Sequence, residues 1–198
     1  VNEYGRSNQS GRLGCPDSDF DGWADDIDVF PDDGLQWADS DGDGRGDNYL
    51  FEVVSVEDED NPGMFLMLRE EQGDAFPNDL TQWSDRDGDG RGDNPTGNLP
   101  DAFPLRITQQ LDFDGDGYGD NITLGAYQPD GCRKIFGTSI DDTFGCPDAD
   151  EDGTSDDADP CPYDPSIEVG VRGQVTCTIT APQDDGNGDA SLGGGDLG

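Results

Sequence analysis

Five stretches of this chain place Asp at alternate positions and then turn on a Gly: Asp17-Ser-Asp-Phe-Asp-Gly22, Asp39-Ser-Asp-Gly-Asp-Gly44, Asp85-Arg-Asp-Gly-Asp-Gly90, Asp112-Phe-Asp-Gly-Asp-Gly117 and Asp148-Ala-Asp-Glu-Asp-Gly153. Each has a further Asp at its ninth position, namely Asp25, Asp47, Asp93, Asp120 and Asp156, and the first and last add a twelfth-position Asp, Asp28 and Asp159. Carboxylates gathered this closely repel one another by a few kcal/mol at a surface-like dielectric unless a cation sits among them. Calcium takes about six to eight oxygens, and its 12-residue loop draws them from positions 1, 3, 5, 7, 9 and 12, with Gly at 6 for the sharp turn.

On that template the ligands are Asp17, Asp19, Asp21 and Asp25; Asp39, Asp41, Asp43 and Asp47; Asp85, Asp87, Asp89 and Asp93; Asp112, Asp114, Asp116 and Asp120; and Asp148, Asp150, Asp152 and Asp156. The backbone carbonyls of Trp23, Arg45, Arg91, Tyr118 and Thr154 occupy position 7. Asp28 and Asp159 close their loops in register, whereas the second and third loops are interrupted and are expected to close on Asp74 and Asp101. The fourth has no partner in register, and Asp130 is the nearest choice. About five or more Ca²⁺ ions are therefore expected.

What must position these loops is not a conventional core. Leu, Ile, Val and Phe make up 36 of 198 residues and the formal net charge is −37, which by themselves describe a chain too poor in apolar surface to offset its conformational entropy. Asp outnumbers Glu 39 to 8, a bias suited to turns rather than to a generic acidic surface. Lys and Arg total 10, which argues against a nucleic-acid partner, and the absence of His removes the usual general base and transition-metal ligand. No catalytic residue is expected.

A second element recurs between loops: Asp28-Val-Phe-Pro31, Asp74-Ala-Phe-Pro77, Asp101-Ala-Phe-Pro104 and Asp159-Pro-Cys-Pro162. Phe30, Phe76 and Phe103 each precede the next loop's first Asp by nine residues, and the intact unit from Asp17 to Asp39 is 22 residues long. With Trp37 and Trp83, these Phe residues are expected to supply small apolar contacts between neighbouring repeats.

These features resemble the thrombospondin type 3 repeat, in which successive Asp-rich loops wrap calcium in a chain with little regular secondary structure. The nearest match is Cys146-Pro-Asp-Ala-Asp-Glu-Asp-Gly-Thr-Ser-Asp-Asp-Ala-Asp-Pro-Cys161-Pro, and the Trp-Xaa-Asp loops look like repeats of secreted or surface proteins of bacteria and archaea. The resemblance implies a mostly irregular, calcium-stabilised repeat array with minor β structure and little or no helix. EF-hand and dockerin modules share the loop but need a helix leaving it. Pro31, Pro77, Pro104 and Pro162 make that helix improbable here.

Three regions follow: an N-terminal segment 1–14, the array 15–165 with a hairpin insert at 49–68, and a C-terminal part 166–198 of short strands and a Gly-rich tail. The hairpin joins two β-prone runs round Asn61-Pro-Gly63 and is the most apolar stretch. Cys132 and Cys146 bracket 13 residues and make the first choice of disulfide, with Cys161–Cys177 second and Cys15 left over. The stretch before Cys15 faintly resembles that before Cys146. Asn8 and Asn121 begin N-glycosylation sequons.

The cysteines point to an oxidising, extracellular or cell-surface location. With Val1 first and no apolar run of 18 residues, a mature or excised segment without a membrane span is expected. The expected function is structural: a calcium-stabilised rod or filament subunit that self-associates into a polymer or continues into neighbouring repeats of a larger surface protein. The alternative is an adhesin or matrix-binding module for which the repeats are a stiff spacer.

Overall fold

A computed structural model describes residues 6–9, 11–166 and 177. Among these there is no helix, and so none long and apolar enough to cross a membrane. The regular structure is one antiparallel pair, β1 (Leu50–Glu57) and β2 (Phe65–Gln72), in register from Leu50↔Gln72 to Glu57↔Phe65. The expected minor β content and lack of helix are therefore found. The expected C-terminal strands and tail, 167–176 and 178–198, lie outside the described residues.

The hairpin runs beyond the expected 49–68, because β2 continues through Arg69-Glu-Glu-Gln72. The apolar pattern stops at Leu68, but the strand is carried on by polar anchors. Arg69 donates its N–H to the Arg86 carbonyl at 2.6 Å, and Glu71 accepts from the Asp85 N–H at 3.0 Å and the Ser84 hydroxyl at 2.6 Å. At the other end the turn is tied down by Arg106, whose guanidinium meets Asp58 at 2.6 Å and Asp60 at 2.8 Å and lies 3.9 Å over the Tyr127 ring.

The interior is polar. Among the described residues the buried apolar ones are Ala24, Leu68, Cys146 and Cys161, while the largest fully buried side chains include Gln82, Gln109, Asp74, Asp130 and Ser139. The expected Phe contacts are modest, since Phe30, Phe76 and Phe103 are only half-buried. Contacts between consecutive repeats do involve the Trp residues: Trp37 stacks on Trp23 with centroids 6.3 Å apart, and the Arg45 guanidinium sits 5.3 Å from the Trp83 ring centre.

The chain divides into two compact units, Val1–Phe113 with Gly119–Pro129, and Asp114–Tyr118 with Asp130–Gly198. The second carries both expected disulfides, Cys132–Cys146 and Cys161–Cys177. Cys15 is free. The faint likeness between the stretches before Cys15 and Cys146 is a shared structure: Ser7 and Ser139 each accept from the following Cys N–H, at 3.0 and 2.9 Å. The pairs after them, Asn8 with Gln9 and Ile140 with Asp141, likewise donate to Gly22 and Gly153.

Candidate metal centres

Each loop is first closed by its own backbone. The N–H of the ninth residue donates to the carbonyl just before the first: Asp25 to Pro16, Asp47 to Ala38, Asp93 to Ser84, Asp120 to Leu111 and Asp156 to Pro147, at 2.8 to 3.0 Å. Inside this clasp the backbone takes a left-handed conformation at positions 4 and 6. Gly at position 6 has φ between 91° and 102° in all five loops, and position 4 is also left-handed, as Gly42, Gly88 and Gly115 and, less comfortably, as Phe20 and Glu151. The position-4 requirement was not read from the sequence, although Gly at three of five such positions was its trace.

The carboxylates follow one scheme. The position-1 Asp accepts the N–H groups of residues 4 and 6: Asp17 from Phe20 and Gly22, Asp39 from Gly42 and Gly44, Asp85 from Gly88 and Gly90, Asp148 from Glu151 and Gly153. Positions 3 and 5 each spend one oxygen on the N–H two residues on, as Asp87 does with Asp89 at 3.1 Å and Asp89 with Arg91 at 2.8 Å. Their other oxygen is buried and bonded to nothing: Oδ2 of Asp19, Asp21, Asp41, Asp43, Asp87, Asp89, Asp150 and Asp152. In Asp17-Asp19-Asp21, Asp39-Asp41-Asp43, Asp85-Asp87-Asp89 and Asp148-Asp150-Asp152, one carboxylate oxygen per residue falls within 4.8 Å of the others.

The closing Asp comes to the same place whatever its sequence distance. Asp28, Asp74, Asp101 and Asp159 donate their N–H to the position-8 carbonyl of Ala24, Gly46, Gly92 and Ser155, at 2.8 to 3.0 Å. Each turns Oδ1 back to the N–H two residues on, in Phe30, Phe76, Phe103 and Cys161. Asp74, Asp101 and Asp159 keep a buried, unbonded Oδ2. Asp74 is pushed up to about 6 by burial and by the charges of Asp43, Asp41 and Asp47; Asp101 reaches about 6 by burial and Asp89. Asp87, buried and beside Asp89 and Asp101, is pushed up to about 7. Burial, then Asp21, Asp19 and Asp17, likewise raise Asp28.

Fourth-loop residues divide, with Asp112 and Asp120 in the first unit and Asp114, Asp116 and Tyr118 in the second. In the second unit Asp130 is fully buried and bonds the Cys132 N–H at 2.6 Å, as the other closing residues bond theirs. A side chain at Gly145 would meet both Asp130 Oδ1 and Asp116 Oδ2, so the two carboxylates converge there. Asp130, the least determined choice in the sequence, thus shares the side-chain turn of the closing residues.

Four of the ninth-position Asp carboxylates also bond within their own loops. Asp25, Asp47, Asp93 and Asp156 turn their carboxylates to the N–H of position 2, in Ser18, Ser40, Arg86 and Ala149, and Asp25, Asp47 and Asp93 also bond the Ser18, Ser40 and Ser84 hydroxyls. These bonds brace the loop.

Sequence reasoning missed a polar brace. Buried Gln36, Gln82 and Gln109 sit three residues before their loops, and each accepts from the N–H of Asn48, Asn94 or Asn121 while donating to that residue's carbonyl. Each Asn returns a bond from its side-chain amide, to Leu35, Thr81 or Thr108, at 2.8 Å. The trace was a recurrent Gly-Asp-Asn at positions 8 to 10. Gly is required at 46, 92 and 119 because a Cβ there would enter the Gln carboxamide. Of the two sequons, Asn121 has the amide nitrogen that would carry a glycan engaged in this brace, whereas Asn8 is exposed.

No family model matches the chain, and no curated protein is significantly similar to it.

Proposed function

We propose that this chain is an extracellular structural protein whose loops each take a calcium ion and whose repeats form a rod or filament subunit. The observation that carries the ion is the set of buried, unbonded carboxylate oxygens on positions 3, 5 and 12 of one loop after another. A buried carboxylate oxygen without a donor is costly, and several of them facing one another more so. An all-oxygen, all-carboxylate and carbonyl donor set without His or Cys selects a hard cation, and its ligand number and flexible loops favour calcium over magnesium.

When bound, the ion would supply the attraction that the few buried apolar side chains among the described residues do not. Positions 1, 3, 5 and 12 would bind it with the position-7 carbonyl, while positions 8 and 9 hold the loop shut. Folding and binding are then one equilibrium. The two disulfides fit an oxidising, extracellular setting. Self-association is supported by one face of the hairpin, where Phe51, Val53, Phe65 and Met67 are about half exposed or more on a chain otherwise too acidic to attract its own copies.

The test is electron microscopy of the purified chain with calcium and after exhaustive chelation, alongside circular dichroism and protease digestion. Regular fibres or linear assemblies that dissolve on chelation are expected. Unchanged spectra and protease resistance without calcium would remove the ion's role; isolated short rods at all concentrations would remove the filament role and favour the spacer of an adhesin.

A further inference from the structure

We infer that Arg69 of the hairpin tunes the third loop, making it the weakest calcium site among the first, second, third and fifth. The inference rests on the calcium reading above.

In the first, second and fifth loops, the position-1 carboxylate is bonded by two backbone N–H groups of its own loop. Asp85 has those two bonds and, in addition, the Arg69 guanidinium, with Nη1 3.1 Å from Asp85 Oδ2 and Nη2 3.3 Å from the Gly88 carbonyl. Among the described residues no ion pair reaches the corresponding carboxylates of those other three loops. The third loop is nonetheless a built site: Asp87 and Asp101 are 6% and 4% exposed, and each holds an unbonded Oδ2.

The guanidinium belongs to the hairpin and not to the loop. Residue 69 is fixed opposite Val53 in the strand pair, its guanidinium lies 4.7 Å from the Phe51 ring centre, and it reaches the Tyr49 hydroxyl at 3.3 Å. Glu71, two residues on, holds the Asp85 N–H. An arriving ion therefore meets a cation that the sheet keeps in place. Positions 1, 3, 5 and 12 offer four carboxylates in each of these loops, but in the third one unit of that charge is already matched. Position 7 does not account for the difference between the second and third loops, because both have Arg there, Arg45 and Arg91. One positive charge a few ångströms from a divalent ion weakens its binding by about tenfold or more in partly solvated surroundings.

The experiment is a calorimetric calcium titration of the full chain and of Asp87→Asn, Asp41→Asn, Arg69→Met and Arg69→Lys. Asp87→Asn is expected to delete the weakest of the steps these loops contribute, and Asp41→Asn a tighter one. Arg69→Met, which keeps the stem and loses the charge, should tighten the weak step by about tenfold, and Arg69→Lys should leave it weak. Loss of a tight step in Asp87→Asn, or unchanged or weaker binding in Arg69→Met, overturns the inference while leaving calcium binding intact. Should Arg69→Met not fold, the two Asn variants decide the ranking alone. A titration with no calcium uptake at any loop removes the proposed function, and this inference with it.

Discussion

The N–H of Asp74 meets the carbonyl of Gly46 at 2.8 Å across 28 residues, the same bond that Asp28 makes to Ala24 across four. A whole hairpin is thus inserted between two atoms of one loop without moving them apart. Closing the longer connection costs little extra entropy, because that cost grows only with the logarithm of length. Asp74→Ala should consequently remove one calcium ion from the stoichiometry measured by calorimetry, as Asp28→Ala should. Asp26→Ala, at the exposed neighbouring position, should remove none.

The calcium-free protein should lose stability as pH rises. Asp74, Asp87 and Asp101 have folded-state values of about 6, 7 and 6, above the ordinary 3.8. The folded state then binds more protons than the unfolded chain between roughly pH 4 and 7, so their contribution is fully present below that window and lost as pH rises through it. Circular dichroism and protease digestion in chelator should show the most residual order near pH 4 and its loss by pH 7. With saturating calcium the trend should reverse, since protons then compete with the ion.

Gln82 accepts one and donates two hydrogen bonds at 3.0 Å while fully buried. Gln82→Ala would strand the Asn94 N–H and the carbonyls of Asn94 and Asn98, a loss of roughly 2 to 4 kcal/mol. Chemical denaturation in saturating calcium should report that loss although no ion ligand has changed. Gly92→Ala should be comparably damaging, because its new methyl enters the Gln82 carboxamide.

Position 4 offers a purely conformational test. Gly42 has φ of 84° with open space where a Cβ would go, so Gly42→Ala should cost on the order of 1 kcal/mol from backbone strain alone. Glu151 already bears that strain at φ 62°, and Glu151→Gly should be neutral or stabilising by up to about 1 kcal/mol. Denaturant midpoints for the two variants should move in opposite directions or leave Glu151→Gly unmoved.

Much of each site was legible because its ligands are local. Alternating Asp residues with Gly at position 6 specify a loop of one fixed shape, and Asp28 and Asp159 follow within the same few residues. Asp74 and Asp101 were reachable through the recurrent Asp-Ala-Phe-Pro, whose Asp bonds the N–H of its own Phe. The hydrogen bonds of the ninth-position Asp were not legible, because a side chain's direction is not fixed by its spacing: Ser or a backbone N–H at position 2 takes up its oxygens. The brace of Gln36, Gln82 and Gln109 escaped because an isolated Gln has no pattern of its own. Its meaning lies in a partner Asn 12 residues away.

By itself, then, the sequence determined the five Asp-rich motifs, the polar and helix-poor character of the chain, the hairpin and a ranking of the cysteine pairs, all of which follow from short-range residue chemistry. Only the tertiary structure decided which oxygens remain unbonded, that Asp130 converges with Asp116 on Gly145, and that Arg69 reaches Asp85 from a neighbouring repeat. Those depend on where separate segments meet. In a molecule whose interior is made of carboxylates and carboxamides, directional hydrogen bonds settle that meeting, and apolar periodicity carries almost no record of them.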